Sequence, residues 1–176
     1  MTISLTVPDP SEYGAYYADY VAEAGDISVL DQLTVQLDDT VRLLQPLSEQ
    51  QAGYRYAPGK WTVREVVGHV IDTERVFAGR ALHFARRDPA ALPGFEQEPW
   101  GAEARSDERP LRSLLAELEA VRRSSLALFR SFPADAWDHR GTASGVEFTV
   151  RAALFIIAGH ELHHRRVLEE QYVGRA

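Results

Sequence analysis

The stretch "GKWTVREVVGHVIDTERVFAGRALHFAR", residues 59–86, decides the fold. Val66, His69, Thr73, Val76 and Phe77 fall at three- and four-residue steps, the period of an α-helix with one inward stripe rather than of an alternating strand. The spacing predicts a helix from about Thr62 to Ala85. Thr62 is placed to cap the free N–H groups of its first turn, and Glu65, three residues on, completes a capping box.

The same period recurs along the chain. Leu30, Leu33, Leu37, Val41 and Leu44 predict a long helix over about residues 27–47. Leu111, Leu114, Leu115, Leu118, Val121, Leu128 and Phe129 predict another, opening at Pro110, a residue suited to a first helical turn. A fourth spans about Thr149 to Tyr172. No alternating stretch of useful length stands between the turn signals, so the expected class is all-α: four helices whose stripes bury one another as a bundle, a frame that can hold a metal between facing helices. Residues 10–23 read as a short extra helix with Tyr13, Tyr16, Tyr17 and Tyr20 on one side, covering the bundle or facing a substrate. The connection from residue 86 to 110 exceeds an ordinary helix-to-helix turn, and its Phe95 and Trp100 are expected to fold back on the bundle or into a partner subunit.

Composition narrows the function. At 176 residues the chain suits a single domain spanning residues 1–176. With no cysteine, any metal must be held by histidine and carboxylate, and any thiol chemistry must use a thiol from outside. The formal charge of −7 opposes nucleic-acid binding. No window resembles a membrane span or a secretory leader, so a cytoplasmic protein is the default expectation.

Two segments echo one another: "WTVREVVGH", residues 61–69, and "FTVRAALFIIAGH", residues 148–160. Each runs aromatic, Thr, Val, Arg, an apolar stretch, then Gly-His. From capping Thr to His the steps are seven and eleven residues, which at about 100° per residue return to nearly the same helix face. His69, His160 and His164 therefore all point inward. Singly, each reads as a core histidine with a hydrogen-bond partner. Together they can offer three imidazole nitrogens to one divalent ion with a fourth position open. His163 is the rival ligand, at i,i+3 from His160, but it lies off the stripe and suits the rim or a supporting role better. His83 lies about 21 Å along the helix from His69 at 1.5 Å per residue, too far to share an ion. His139 reads as a surface turn residue. Arg80 falls on the inward stripe, either in a salt bridge to a neighbouring helix or as an anion-binding group.

Residues 160–164 spell H-E-x-x-H, the motif of a zinc peptidase. That reading fails on its third ligand, because Glu169 and Glu170 follow in the same helix and cannot swing round, and no strand is available to align a peptide. His69 is the better third ligand.

The segments "GKWTVREVVGHVIDTERVFAGRALHFAR", "LPGFEQEPW" and "AGHELHHRRVL" resemble the DinB-like family of metal-dependent enzymes, the DinB/YfiT-like superfamily that includes bacillithiol and mycothiol S-transferases. The resemblance runs from about residue 12 to residue 173. It implies a four-helix bundle of up-up-down-down character and a three-histidine site, with zinc or nickel, at His69, His160 and His164. It also implies a homodimer. The family name records damage-inducible expression in one member and implies no DNA binding.

Three functions follow as expectations. A metal-dependent transferase would bind a low-molecular-weight thiol such as bacillithiol at the ion and pass it to an electrophilic small molecule. A metal-dependent hydrolase would use water there, with Glu161 or Asp72 moving a proton and His163 in support. A non-catalytic metal- or ligand-binding stress protein is the third.

Overall fold

The computed structural model describes residues 5–25 and 28–175. Residue 27, the expected start of the first long helix, lies outside the described residues. The helices are α1 (Ala18–Ala24), α2 (Val29–Leu44), α3 (Glu49–Ala52), α4 (Val63–Ala85), α5 (Gln97–Ala104), α6 (Leu111–Arg130) and α7 (Val150–Gln171), and between α6 and α7 stands a hairpin of β1 (Arg140–Ala143) and β2 (Val146–Thr149).

The four long helices α2, α4, α6 and α7 form the bundle, and α4 and α7 carry the threonine caps the sequence encodes. Thr62 accepts from the Glu65 backbone N–H at 3.2 Å while Glu65 accepts from the Thr62 N–H at 2.7 Å. Thr149 accepts from the Ala152 N–H at 3.0 Å. Each of these bonds satisfies a donor that the first helical turn leaves free.

The apolar core has two halves. One contains Leu30 and Leu33 of α2, Phe77 and Phe84 of α4, Leu126 and Phe129 of α6, and Phe155 and Ile157 of α7. The other contains Leu37 and Leu44, Val63 and Val70, Leu111 and Leu118, and Leu168 of the same four helices. Helices α2 and α7 thus run from the first half to the second, and α4 and α6 run the other way. The direction is up-down-down-up, which corrects the up-up-down-down order expected. The reason lies in the connection 86–110: it carries the chain back along the bundle, so α6 starts where α4 starts and runs parallel to it.

Between the halves lies a belt of buried polar side chains, including Gln36, Thr40, His69, Glu74, Arg122, Ser125, His160 and Glu161.

The other segments differ from a plain all-helical reading. The N-terminal region is two 3-10 turns, Pro10–Glu12 and Ala15–Tyr17, followed by the short α1. Its tyrosines divide: Tyr17 is buried, whereas Tyr16 is 75% exposed. The hairpin turns at Ser144 and Gly145, both at positive φ, the geometry that matches the twist of a two-residue hairpin loop. The connection 86–110 contains α5, and its Leu92 pairs with Ala143 of the hairpin. Phe95 is half-buried against Trp100, which stays 48% exposed.

Candidate metal centre

His69 comes from the first half of α4, and His160 and His164 from successive turns of α7. Their side chains converge in the polar belt. The Nε2 atom of His160 lies 3.0 Å from that of His69 and 3.1 Å from that of His164, and one ligand atom from each of the three lies within 4.8 Å of the others. Donor nitrogens about 2.0–2.1 Å from one ion stand roughly 2.9–3.4 Å apart, depending on the angle between them. The observed spacings fit that range.

The protonation state fits as well. Burial pulls His69 down to about 4 and His164 to about 3, and it holds His160 well below the usual imidazole value, with the neighbouring imidazoles adding to the effect in His160 and His164. Neutral imidazoles have the lone pairs that a cation needs, and three ring nitrogens this close together can be shared by one ion.

Packing fixes the rings. Trp61 lies against His69 with ring centroids 4.8 Å apart, and Tyr20 of α1 meets both His160 and His163, at 5.4 and 5.6 Å. The glycine before each anchoring histidine is a close-approach position. A side chain at Gly68 would collide with Ser106, and one at Gly159 would collide with the backbone of Tyr20. The repeated Gly-His thus admits a covering segment beside each histidine.

The remaining candidates are placed elsewhere. Glu161 is sealed in the belt: its carboxylate accepts from the Thr40 hydroxyl and from Arg122, each at 2.7 Å. Arg122 also binds Glu74, at 2.8 Å, and donates to the Leu33 carbonyl at 2.7 Å. Each oxygen of Glu161 is therefore engaged by a partner other than the histidine nitrogens. Asp72 lies outside the converging set, half-buried with Arg75 at 3.7 Å, and burial raises its pKa. His163 stands at the rim, its Nδ1 4.0 Å from Glu23. His83 pairs with Asp88 at 2.7 Å on the surface. His139 is more enclosed than a surface turn, with its Nε2 accepting from Arg87 at 3.1 Å.

Arg122 was not singled out from the sequence, although a signal exists. It stands four residues after Leu118 and four before Leu126, a charged residue in a core position of α6.

Two cavities flank the cluster. One, about 320 Å³, is lined by His69, His160, Tyr17, Tyr20, Phe77 and Arg80 among others. The second, about 280 Å³, is lined by His163, His164, Trp61, Tyr172, Lys60 and Tyr56 among others.

Residues 32–168 match the model of the DinB superfamily. The chain belongs to the DinB superfamily. It is 27% identical over 142 residues to a protein of Bacillus mycoides (strain KBAB4) named "Putative metal-dependent hydrolase", an alignment covering 77% of this chain and 81% of that protein. A Bacillus cereus (strain AH820) protein of like name is 26% identical over 132 residues, covering 72% and 73% of the two chains. The fold is that of YfiT from Bacillus subtilis, described as a probable metal-dependent hydrolase with an unusual four-helix bundle topology: the TM-score is 0.71 at 21% identity, covering 93% of this chain and 90% of YfiT. Among the described residues, no helix is long and apolar enough to cross a membrane.

Proposed function

We propose that this DinB-superfamily chain is a metal-dependent enzyme that joins a small external thiol to an electrophilic small molecule. The observation that carries the reading is the convergence of three neutral imidazoles at a belt flanked by two cavities. A divalent ion held by His69, His160 and His164 supplies a Lewis acid that favours the ionised form of a thiol or water sharing its open position.

The division of labour among the residues favours a thiol over water. Glu161 is held by Arg122 and Thr40, and Asp72 lies outside the converging set, so neither carboxylate is presented to the histidine nitrogens. A thiol, with a pKa near 8.5, needs a carboxylate's help far less than water does. Two cavities give two reactants separate approaches to one centre, with Tyr20 and Trp61 packed beside the imidazoles and restricting water.

Hydrolysis of a small substrate is the second reading, favoured by the names of the Bacillus relatives. The test is incubation of zinc- or nickel-loaded protein with cellular thiols, bacillithiol included, plus a generic electrophile, beside small esters, amides and peptides. Metal-dependent conjugation supports the first reading. Metal-dependent cleavage of esters or amides with no thiol consumption would establish the second.

A further inference from the structure

Arg80 is the unexplained cation of the site. It is 3% exposed, and among the described residues no carboxylate pairs with it. A buried guanidinium is costly without a counter-charge. Its Nη2 donates to the Pro93 carbonyl at 3.0 Å and to the Ser144 hydroxyl at 2.8 Å, both neutral acceptors. Phe77 and Phe95 flank the guanidinium at 5.0 and 5.9 Å. The Tyr17 hydroxyl, a third neutral group, also hydrogen-bonds the guanidinium, and Arg80 lines a cavity together with His69 and His160. Glu96, which also lines the cavity, is exposed and forms no ion pair with Arg80.

We propose that Arg80 anchors a carboxylate of the substrate, so that the substrate is a small organic acid whose reacting end reaches the histidine cluster while its anionic end is held at Arg80. The inference rests on the metal site proposed above. Arg80 is the one arginine or lysine among the residues lining that cavity, which suits one anionic group held beside it. The Ser144 hydroxyl accepts from Arg80 and keeps its own proton to donate, so the anion would meet a neutral donor beside the charged one. Arg80 follows His69 by eleven residues on α4, about 16 Å of rise, and a helical side chain leans back toward the N-terminus; the anion would therefore lie on the order of 10 Å from the reacting atom. The aromatic walls of Tyr17, Phe77 and Phe95 suit an apolar spacer between the two ends.

The test uses linear hydroxamic acids, which grip zinc at one end, carrying at the other end either a carboxylate or the matched primary amide, with six to ten carbons in all. Dissociation constants are measured by calorimetry on zinc-loaded wild-type protein, on the Arg80→Gln variant and on metal-free protein. At the best chain length the acid should bind wild type about tenfold or more tightly than the amide. Arg80→Gln should abolish that preference while leaving the amide unchanged. Equal binding of acid and amide to wild type at every length would overturn the anchor and leave Arg80 a strap between the hairpin and the 86–110 connection; this comparison needs no variant. A preference that survives Arg80→Gln would overturn it too. If neither compound distinguishes zinc-loaded from metal-free protein, the metal site itself fails, and the anchor with it.

Discussion

Arg122 donates to Glu161 across 2.7 Å at the centre of the bundle, and Glu161 immediately follows the histidine whose Nε2 faces the other two. The glutamate of H-E-x-x-H is thereby buried and paired. With Arg122 unexposed between Glu74 and Glu161, removing it strands two buried carboxylates. Arg122→Leu should therefore cost about 3–5 kcal/mol in urea unfolding. Glu161→Gln should also lose stability while keeping metal stoichiometry. A Glu161→Gln protein of normal stability but no activity would assign the proton-moving role to this residue.

The histidine cluster predicts a graded series. Removal of His69, His160 or His164 takes away one of three donors, and each alanine variant should weaken zinc binding on the order of a hundredfold while helical circular dichroism persists. His163→Ala should bind zinc close to wild type, because its ring packs on Tyr20 at the rim. Metal titration with a competing chelator measures both. If His163→Ala lost the metal and His164→Ala kept it, the assignment of ligands on α7 would be reversed.

The helix spans and the inward face of the three histidines were legible because they rest on one local quantity, the helical period. Chain direction was not. It depends on where a connection returns, and only the length of 86–110 hinted that α6 starts beside the start of α4. The hairpin escaped notice because its strands have four residues each and the first of its two positive-φ turn positions is Ser144 rather than a glycine or asparagine. Arg122 and Glu74 are charges on apolar stripes, and a stripe reading discounts a charge unless its partner is known. That partner is set by the packing of α4, α6 and α7 together.

Gly159 and Gly79 give opposite expectations for the same substitution. A methyl at Gly159 meets the Tyr20 backbone, so α1 would have to lift from α7. Gly159→Ala should lower stability by about 1–3 kcal/mol, as overpacking does, and should loosen the cover over His160. Gly79 lies within α4 with open space where a Cβ would sit. Gly79→Ala should stabilise by about 0.5–1 kcal/mol through helix propensity. Thermal melts of the pair test the contrast, and a neutral Gly159→Ala would show that α1 is not pressed against this turn.

Acid should destabilise the metal-free protein in a window that identifies the histidines. The folded values of His69 and His164, about 4 and about 3, lie below the ordinary 6.5, and that of His160 lies well below it. Above about pH 6.5 both folded and unfolded chains hold these rings neutral, and their contribution is constant. As pH falls through 6.5, the unfolded chain takes up protons that the folded chain refuses, so stability declines toward pH 4. Each fully buried ring that stays neutral can contribute up to about 1.4 kcal/mol per pH unit in that interval. Carboxylates such as Glu12, held below its ordinary 4.5 by Arg151, lose their contribution only at lower pH. Urea unfolding of metal-free protein between pH 7 and 4.5 therefore isolates the imidazoles, and replacing His69 by leucine should flatten the slope. Zinc should be released over the same direction of pH, because protons compete for the same lone pairs. Constant stability across pH 7 to 4.5 in metal-free wild type would mean that the three rings accept protons in the folded state, and that the belt is wetter than its packing implies.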